Sequence, residues 1–107
     1  MMMTTVIHVR DMRPGDIYIG RSSPGQRLAG SRWANPYRIR PDQPRDAVIA
    51  LYLEYVLSRP ELMAALRELR GKRLACWCAP RGQALTADDP FVCHGQVLAS
   101  LIDRMDG

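Results

Sequence analysis

The sequence predicts a single small α/β domain spanning residues 1–107, in which a three-stranded, mostly parallel sheet is flanked by three helices. Two observations predict this fold class. The chain has 107 residues, which is enough for one hydrophobic core without disulfides. Its patterns follow the order strand, strand, helix, helix, strand, loop, helix. A strand joined to a later strand through helices implies at least one parallel pairing, with the helices packed on the sheet.

Three segments are rich in the β-branched and apolar residues that are typical of strands. They are Thr5–Arg10, Asp16–Gly20 and Lys72–Cys78. The Pro14-Gly15 pair between the first two is a turn signal. We expect the third segment to be an interior strand.

Three other segments carry apolar residues at helical spacing. Pro44 and Asp46 mark the start of the first helix, which continues to Leu57. Ser58 is the candidate N-cap of the second helix, and Gly71 is its C-terminal stop. The third helix is predicted over 94–105.

The segment 21–44 is dense in Gly, Pro, Ser and Arg and shows neither helical nor strand periodicity. Long loops of this kind are uncommon in small domains and are often functional. Ligands of parallel sheets gather at the carboxyl ends of the strands. The loop after Gly20 and the segment after Cys78 both follow predicted strands, so we expect the functional site at that edge.

Positive charge is concentrated in the first part of the chain. The net charge is +4, with a pI near 9.3. Residues 1–40 hold seven arginines against two aspartates, whereas 41–107 hold eight cations against nine anions. Arginine suits bidentate binding of phosphate or carboxylate. Two explanations of this uneven charge remain open. One is an anionic partner, nucleic acid included, and the other is a codon-driven use of Arg on solvated faces.

All three cysteines and one of the two histidines lie within a short stretch, at Cys76, Cys78, Cys93 and His94. Residues two apart on a strand share a face, so Cys76 and Cys78 are expected to point the same way. Cys93 and His94 come where the last helix begins, and a helix N-terminus lowers a thiol pKa and favours anions.

Three interpretations of this group remain open. In the first, Cys76, Cys78, Cys93 and His94 hold one zinc ion, because Cys3His is a known tetrahedral ligand set. In the second, Cys78 or Cys93 is a nucleophile or redox group, with His94 as its base or ion-pair partner. In the third, the cysteines are small buried hydrophobic residues and His94 caps the helix.

A second group of residues combines positive charge, aromatic rings and an amide, the mixture that recognises a phosphate or a nucleobase. Arg21 and Arg32 are expected to hold charge, and Trp33 or Tyr37 to stack on the ligand. In the alternative interpretation, Trp33 and Tyr37 only anchor the loop on the core. The candidate ligand-binding residues are Gly20, Arg21, Arg32, Trp33, Asn35 and Tyr37.

Four motifs resemble domain-of-unknown-function family 4326, a group of small proteins from bacteria and their phages. They are Y-I-G-R at 18–21, W-A-N-P-Y at 33–37, L-R-G-K-R-L-A-C-W-C-A-P at 69–80 and C-H-G-Q-V-L at 93–98. The family carries no established activity, so the resemblance implies a fold and a site rather than a reaction. In this chain Arg81–Val92 separate the two cysteine motifs, a longer spacing than is typical of the family.

The sequence therefore predicts a protein that binds an anionic, nucleotide-like small molecule at a Cys/His- and Arg/Trp-lined edge of the sheet. The alternative is a zinc-stabilised, nucleic-acid-binding module without catalysis. An odd number of cysteines does not fit a secreted disulfide framework. The longest mostly apolar run, Asp46–Leu57, is too short to span a bilayer. We expect a soluble, cytoplasmic protein with no membrane partner.

Overall fold

Three parallel strands form the sheet. The computed structural model describes residues 3–106. Strand β1 is Thr5–His8, β2 is Ile17–Tyr18 and β3 is Arg73–Cys76, and their order in the sheet is β1-β3-β2. The central strand β3 pairs in parallel with both neighbours, which confirms the α/β fold class and the interior position of the third strand. The carboxyl ends of all three strands therefore meet at one edge.

The three predicted helices are present. Helix α1 is Arg45–Leu57, α2 is Pro60–Ala65 and α3 is His94–Asp106. Helix α2 continues into a 3₁₀ turn over Leu66–Leu69. The helix bounds agree closely with the sequence, because amphipathic spacing and proline starts are local signals.

All three strands are shorter than predicted. Strand β2 is Ile17–Tyr18, within the predicted Asp16–Gly20. Strand β1 gives way to a 3₁₀ turn at Val9–Asp11, and the His8 ring nitrogen Nδ1 accepts a hydrogen bond from the backbone N–H of Arg10 at 3.0 Å. Strand β3 ends at Cys76, two residues before the predicted end. This early end of β3 decides which side chains reach the functional edge.

The expected N-cap role of Ser58 is wrong. Ser58 ends α1 instead, with its N–H bonded to the Glu54 carbonyl and its hydroxyl donating to the Tyr55 carbonyl at 2.8 Å. Pro60 sits in the first turn of α2, and the residue before a proline is held in an extended conformation, so Arg59 takes the N-cap position. Gly71 has a φ of +72°, in line with its predicted role as a stop.

One hydrophobic core lies between the sheet and the helices. It includes Val6 and Leu74 of the sheet, Tyr52 of α1 and Leu98 of α3. The long loop joins this core through Trp33, whose backbone carbonyl accepts a hydrogen bond from the Tyr52 hydroxyl at 2.6 Å. Within residues 3–106, the helices are too short or too polar to cross a membrane.

Candidate functional site

The end of β3 and the start of α3 bring two thiols and an imidazole together. The Sγ atoms of Cys76 and Cys93 and the Nδ1 atom of His94 all lie within 4.8 Å of one another. The two sulfurs are 2.7 Å apart, and His94 Nδ1 is 3.7 Å from Cys76 Sγ and 3.9 Å from Cys93 Sγ. All three side chains are buried. We call these three residues the Cys/His cluster.

The start of α3 is built around Cys93 and Gln96. The Cys93 sulfur accepts a hydrogen bond from the Gly95 N–H at 3.4 Å. In return, Gln96 Oε1 accepts from the Cys93 N–H at 3.2 Å and from the Val92 N–H at 2.7 Å. This reciprocal pattern is a capping box in which a cysteine replaces serine or threonine. The sequence C-H-G-Q thus places Cys93 and His94 by local chemistry.

The same glutamine anchors the loop that separates the two cysteine motifs. Gln96 is fully buried, and its Nε2 donates to the carbonyls of Thr86, Asp89 and Pro90 at 3.1, 3.3 and 3.1 Å. These bonds fold the long loop back against α3. The twelve-residue spacing of Arg81–Val92 therefore does not keep Cys76 and Cys93 apart.

The hydrogen bonds of His94 determine its tautomer. Its Nε2 lies 2.9 Å from the Ile19 carbonyl oxygen, which can only accept, so Nε2 carries the proton. The Nδ1 lone pair then faces the sulfurs of Cys76 and Cys93. Burial lowers the pKa of His94, and the ring is neutral at neutral pH. A neutral imidazole oriented through its second nitrogen is the arrangement that metal-binding histidines adopt.

Cys78 differs from the cysteines of the cluster. Because β3 has ended, the expected strand alternation does not apply, and Cys78 is exposed whereas Cys76 is buried. Hydrogen bonds from the thiols of Cys76 and Cys93 hold the pKa of Cys78 well below its ordinary value. Donating these bonds raises the pKa of Cys76 and of Cys93. Cys78 thus has the lowest pKa of the three thiols.

A cavity of about 430 Å³ opens at the carboxyl ends of β2 and β3. Three arginines, Arg21, Arg38 and Arg45, line it, and none of the described residues that line it is Asp or Glu. The cavity is therefore positively charged. Of the residues predicted from the sequence, those lining it are Gly20, Arg21, Asn35, Tyr37, Cys76, Cys78 and His94.

Arg21 holds the wall of the cavity as well as its charge. Its guanidinium donates to the Asn35 carbonyl at 3.1 and 2.7 Å and to the Tyr37 carbonyl at 2.9 Å. Partial burial and the nearby charge of Arg38 lower its pKa, while the Cys78 charge opposes that shift. Asn35 also shapes this loop, because its Oδ1 accepts from the Tyr37 N–H at 2.9 Å.

The structure does not bring Arg32 or Trp33 to the cavity. Trp33 is only 3% exposed and packs in the core, as the loop-anchor interpretation describes. Arg32 pairs with Glu68 and lies over the Trp33 ring at 5.3 Å. Gly20 also lines the cavity. A Cβ at this position would lie 2.6 Å from Cζ of the Tyr18 ring, so a larger residue would displace that ring.

Among the cavity residues that the sequence did not point to, Arg38, Arg45 and Trp77 carry the charge and the largest ring. Arg45 lies where the sequence predicts only the start of a helix. In the structure it is the first residue of α1, and its Nη1 donates to the Val92 carbonyl at 2.7 Å. Trp77 lies within the predicted third strand. Its position between two cysteines is the sequence signal that could have assigned it to the site. Arg38 belongs to the arginine-rich first 40 residues, and that charge excess was its signal.

The chain is similar to Uncharacterized protein R718 of Acanthamoeba polyphaga mimivirus, with 36% identity over 89 residues. That match covers 80% of this chain and 65% of the viral protein, so the chain spans less than two thirds of its relative. No solved structure matches the chain. Residues 6–104, which include every candidate site residue, match the family described as Domain of unknown function (DUF4326). The expected resemblance is confirmed, and the chain belongs to this DUF4326 family.

Proposed function

We propose that the protein binds an anionic, nucleotide-like small molecule in the cavity at the carboxyl ends of β2 and β3. One observation carries the proposal. Three guanidinium groups and no carboxylate from the described residues line this one concave site. Its volume of about 430 Å³ falls within the range of roughly 300–1,000 Å³ that is usual for small-molecule sites.

Each group has a defined role in this proposal. The guanidinium of Arg21 is fixed by its backbone partners and supplies a preorganised charge at the wall. Arg38 and Arg45 are exposed and adapt to the anion from the rim. The thiolate of Cys78 faces the same cavity and is the candidate nucleophile. Cys93 is buried with a raised pKa, which suits a ligand or structural role better than nucleophilic attack.

Calorimetric titration with AMP and with pyrophosphate tests the proposal. We expect both to bind the wild-type protein, and Arg38→Gln to weaken both about tenfold, because a charge-assisted hydrogen bond is lost. Arg67→Gln is the matched control, since Arg67 is an exposed arginine outside the cavity. Absence of binding by both probes, or equal weakening by the two variants, would overturn the proposal.

A second proposal concerns zinc, and the orientation of His94 favours it. The ligand atoms of a tetrahedral zinc site lie about 3.6 Å apart for sulfur and nitrogen and about 3.8 Å for two sulfurs. The distances from His94 Nδ1 to the two sulfurs, 3.7 and 3.9 Å, fit these values. The two sulfurs, 2.7 Å apart, would have to separate by about 1 Å. Cys78 is the candidate fourth ligand, because it lies next to the cluster and its backbone N–H donates to the Cys76 sulfur at 3.5 Å.

Metal analysis of protein purified without a histidine tag tests the zinc proposal. We expect one equivalent of zinc in the wild type and loss of the metal in His94→Ala. His8→Ala is the control, because His8 lies at the end of β1 outside the Cys/His cluster. A folded, metal-free wild-type protein that takes up no added zinc would overturn this proposal.

Nucleic-acid binding through residues 1–40 is the alternative that accompanies the zinc proposal. Of the seven arginines in this segment, Arg21 and Arg38 line the cavity and Arg32 pairs with Glu68. The small-molecule proposal is therefore favoured. Retention on a DNA column that falls steeply as salt rises, with no binding of AMP, would support the alternative.

A further inference from the structure

Trp77 is a large aromatic residue at the rim of the cavity. It directly follows β3, lies between Cys76 and Cys78, and is 37% exposed. The other tryptophan, Trp33, is only 3% exposed. Exposing an indole costs free energy unless another ring or an apolar surface covers it part of the time. Since Trp77 lines the cavity, a bound ligand is a natural cover.

The Trp77 ring is held in place by both neighbouring strands. Its indole N–H donates to the Tyr18 hydroxyl of β2 at 3.0 Å, and that hydroxyl donates to the Arg21 carbonyl at 2.5 Å. On the β1 side, the His8 ring meets it edge to face, with centroids 5.8 Å apart and planes at 83°. A ring that is already fixed loses little conformational entropy when a ligand stacks on it.

The same contacts connect the ring to the charge of the cavity. Arg21, whose carbonyl anchors the Tyr18 hydroxyl, also lines the cavity together with Arg38. A planar surface and two cations therefore border one site. From this arrangement we propose that Trp77 stacks on the aromatic base of the bound anion, so that the ligand is a mononucleotide. This inference rests on the proposed anion binding and deepens it by assigning the ligand class.

The size of the site separates a mononucleotide from a nucleic-acid strand. The cavity holds about 430 Å³. Of the tyrosine and tryptophan rings that line it, Tyr18 and Tyr37 are half-buried and Trp77 is exposed. Proteins that track a single strand use successive aromatic residues along a basic groove. One exposed ring beside the arginines of a single cavity suits one base and its phosphate.

The test compares AMP with ribose 5-phosphate, which carries the same anionic group without the base. We expect AMP to bind the wild type about 5- to 150-fold more tightly, the range for stacking one base. Trp77→Leu should abolish this preference, so that the variant binds AMP and ribose 5-phosphate equally, and Trp77→Phe should keep most of it. Phe91→Leu is the matched control, because Phe91 is equally exposed, at 36%, but does not line the cavity.

Tryptophan fluorescence provides a second readout that needs no substitution. AMP should quench the exposed Trp77 and ribose 5-phosphate should not, while the buried Trp33 gives a constant background. Equal binding of the two ligands, or an AMP preference that survives Trp77→Leu, would overturn the stacking proposal and leave anion binding intact. Failure of both ligands to bind would overturn the proposed function itself. A short oligoadenylate binding far more tightly than AMP would assign the site to nucleic acid instead.

Discussion

At the scale of single residues, the three cysteines of one small region differ in pKa. Cys76 and Cys93 are buried and donate hydrogen bonds, which favours their protonated thiols. Cys78 is exposed and accepts those bonds, which favours its thiolate. Cys78 is therefore expected to be the most reactive of the three thiols.

The first prediction concerns the alkylation of Cys78 by iodoacetamide in chelator-treated protein. Because its pKa is lowered, the thiolate is already complete at neutral pH, and the rate should be nearly equal at pH 6.5 and pH 8.5. An ordinary thiol, with a pKa near 8.5, should gain about 50-fold over the same interval. Peptide mapping by mass spectrometry measures each site, with Cys78→Ser as the control. A Cys78 rate that rises tenfold per pH unit would contradict the prediction.

At the scale of elements, the approach of α3 to the sheet depends on a glycine. A Cβ at Gly95 would lie 2.8 Å from Ile19 Cδ1 and 3.0 Å from Val6 Cγ2. A separation of 2.8 Å essentially never occurs for a real Cβ and one of 3.0 Å is tighter than most, so a side chain here would force Ile19, Val6 or α3 itself to shift. The neighbouring His94 would then lose its 2.9 Å contact with the Ile19 carbonyl.

The second prediction is that Gly95→Ala destabilises the protein by about 1–3 kcal/mol, the usual cost of overpacking. Helix propensity alone predicts the opposite sign, since Ala is better than Gly within a helix by about 1 kcal/mol. Urea unfolding measures the difference. Gly25→Ala is the control, because a Cβ at Gly25 meets nothing within 4 Å, and it should be close to neutral. A stabilising Gly95→Ala would contradict the packing described for α3.

At the scale of the whole molecule, the Cys/His cluster joins the two layers of the fold. Cys76 ends the central strand, and Cys93 and His94 begin the helix that packs on the sheet. A metal held there would connect segments that are distant in the chain, and its binding free energy would stabilise the entire domain.

The third prediction follows from this connection. Removing zinc with a chelator should lower the melting temperature of the wild type by more than about 15 °C, if zinc is 1,000-fold above its dissociation constant. The chelator should shift a single cooperative unfolding transition, since the candidate zinc ligands belong to both the sheet and α3. His94→Ala should show no further change with chelator. Calorimetry measures both, and a zinc-loaded wild type that is indifferent to the chelator would contradict a structural role for the metal.

The sequence by itself determined the order of the elements and the location of the site. Strand and helix signals are local, and the parallel topology they imply places the carboxyl ends of the strands at one edge. Cys76 could be assigned to that edge for this reason, whereas Cys93 and His94 reach it because the loop before them folds back against α3. The capping box of C-H-G-Q, also a local pattern, positions the last two.

Only the tertiary structure decided which loop side chains face the cavity. Trp33 turns into the core because Tyr52 of α1 binds its carbonyl, and Arg32 turns outward to Glu68, 36 residues away. The early end of β3 places Trp77 at the rim and exposes Cys78. The direction of a loop side chain depends on partners that are distant in the chain, and no local periodicity contains that information.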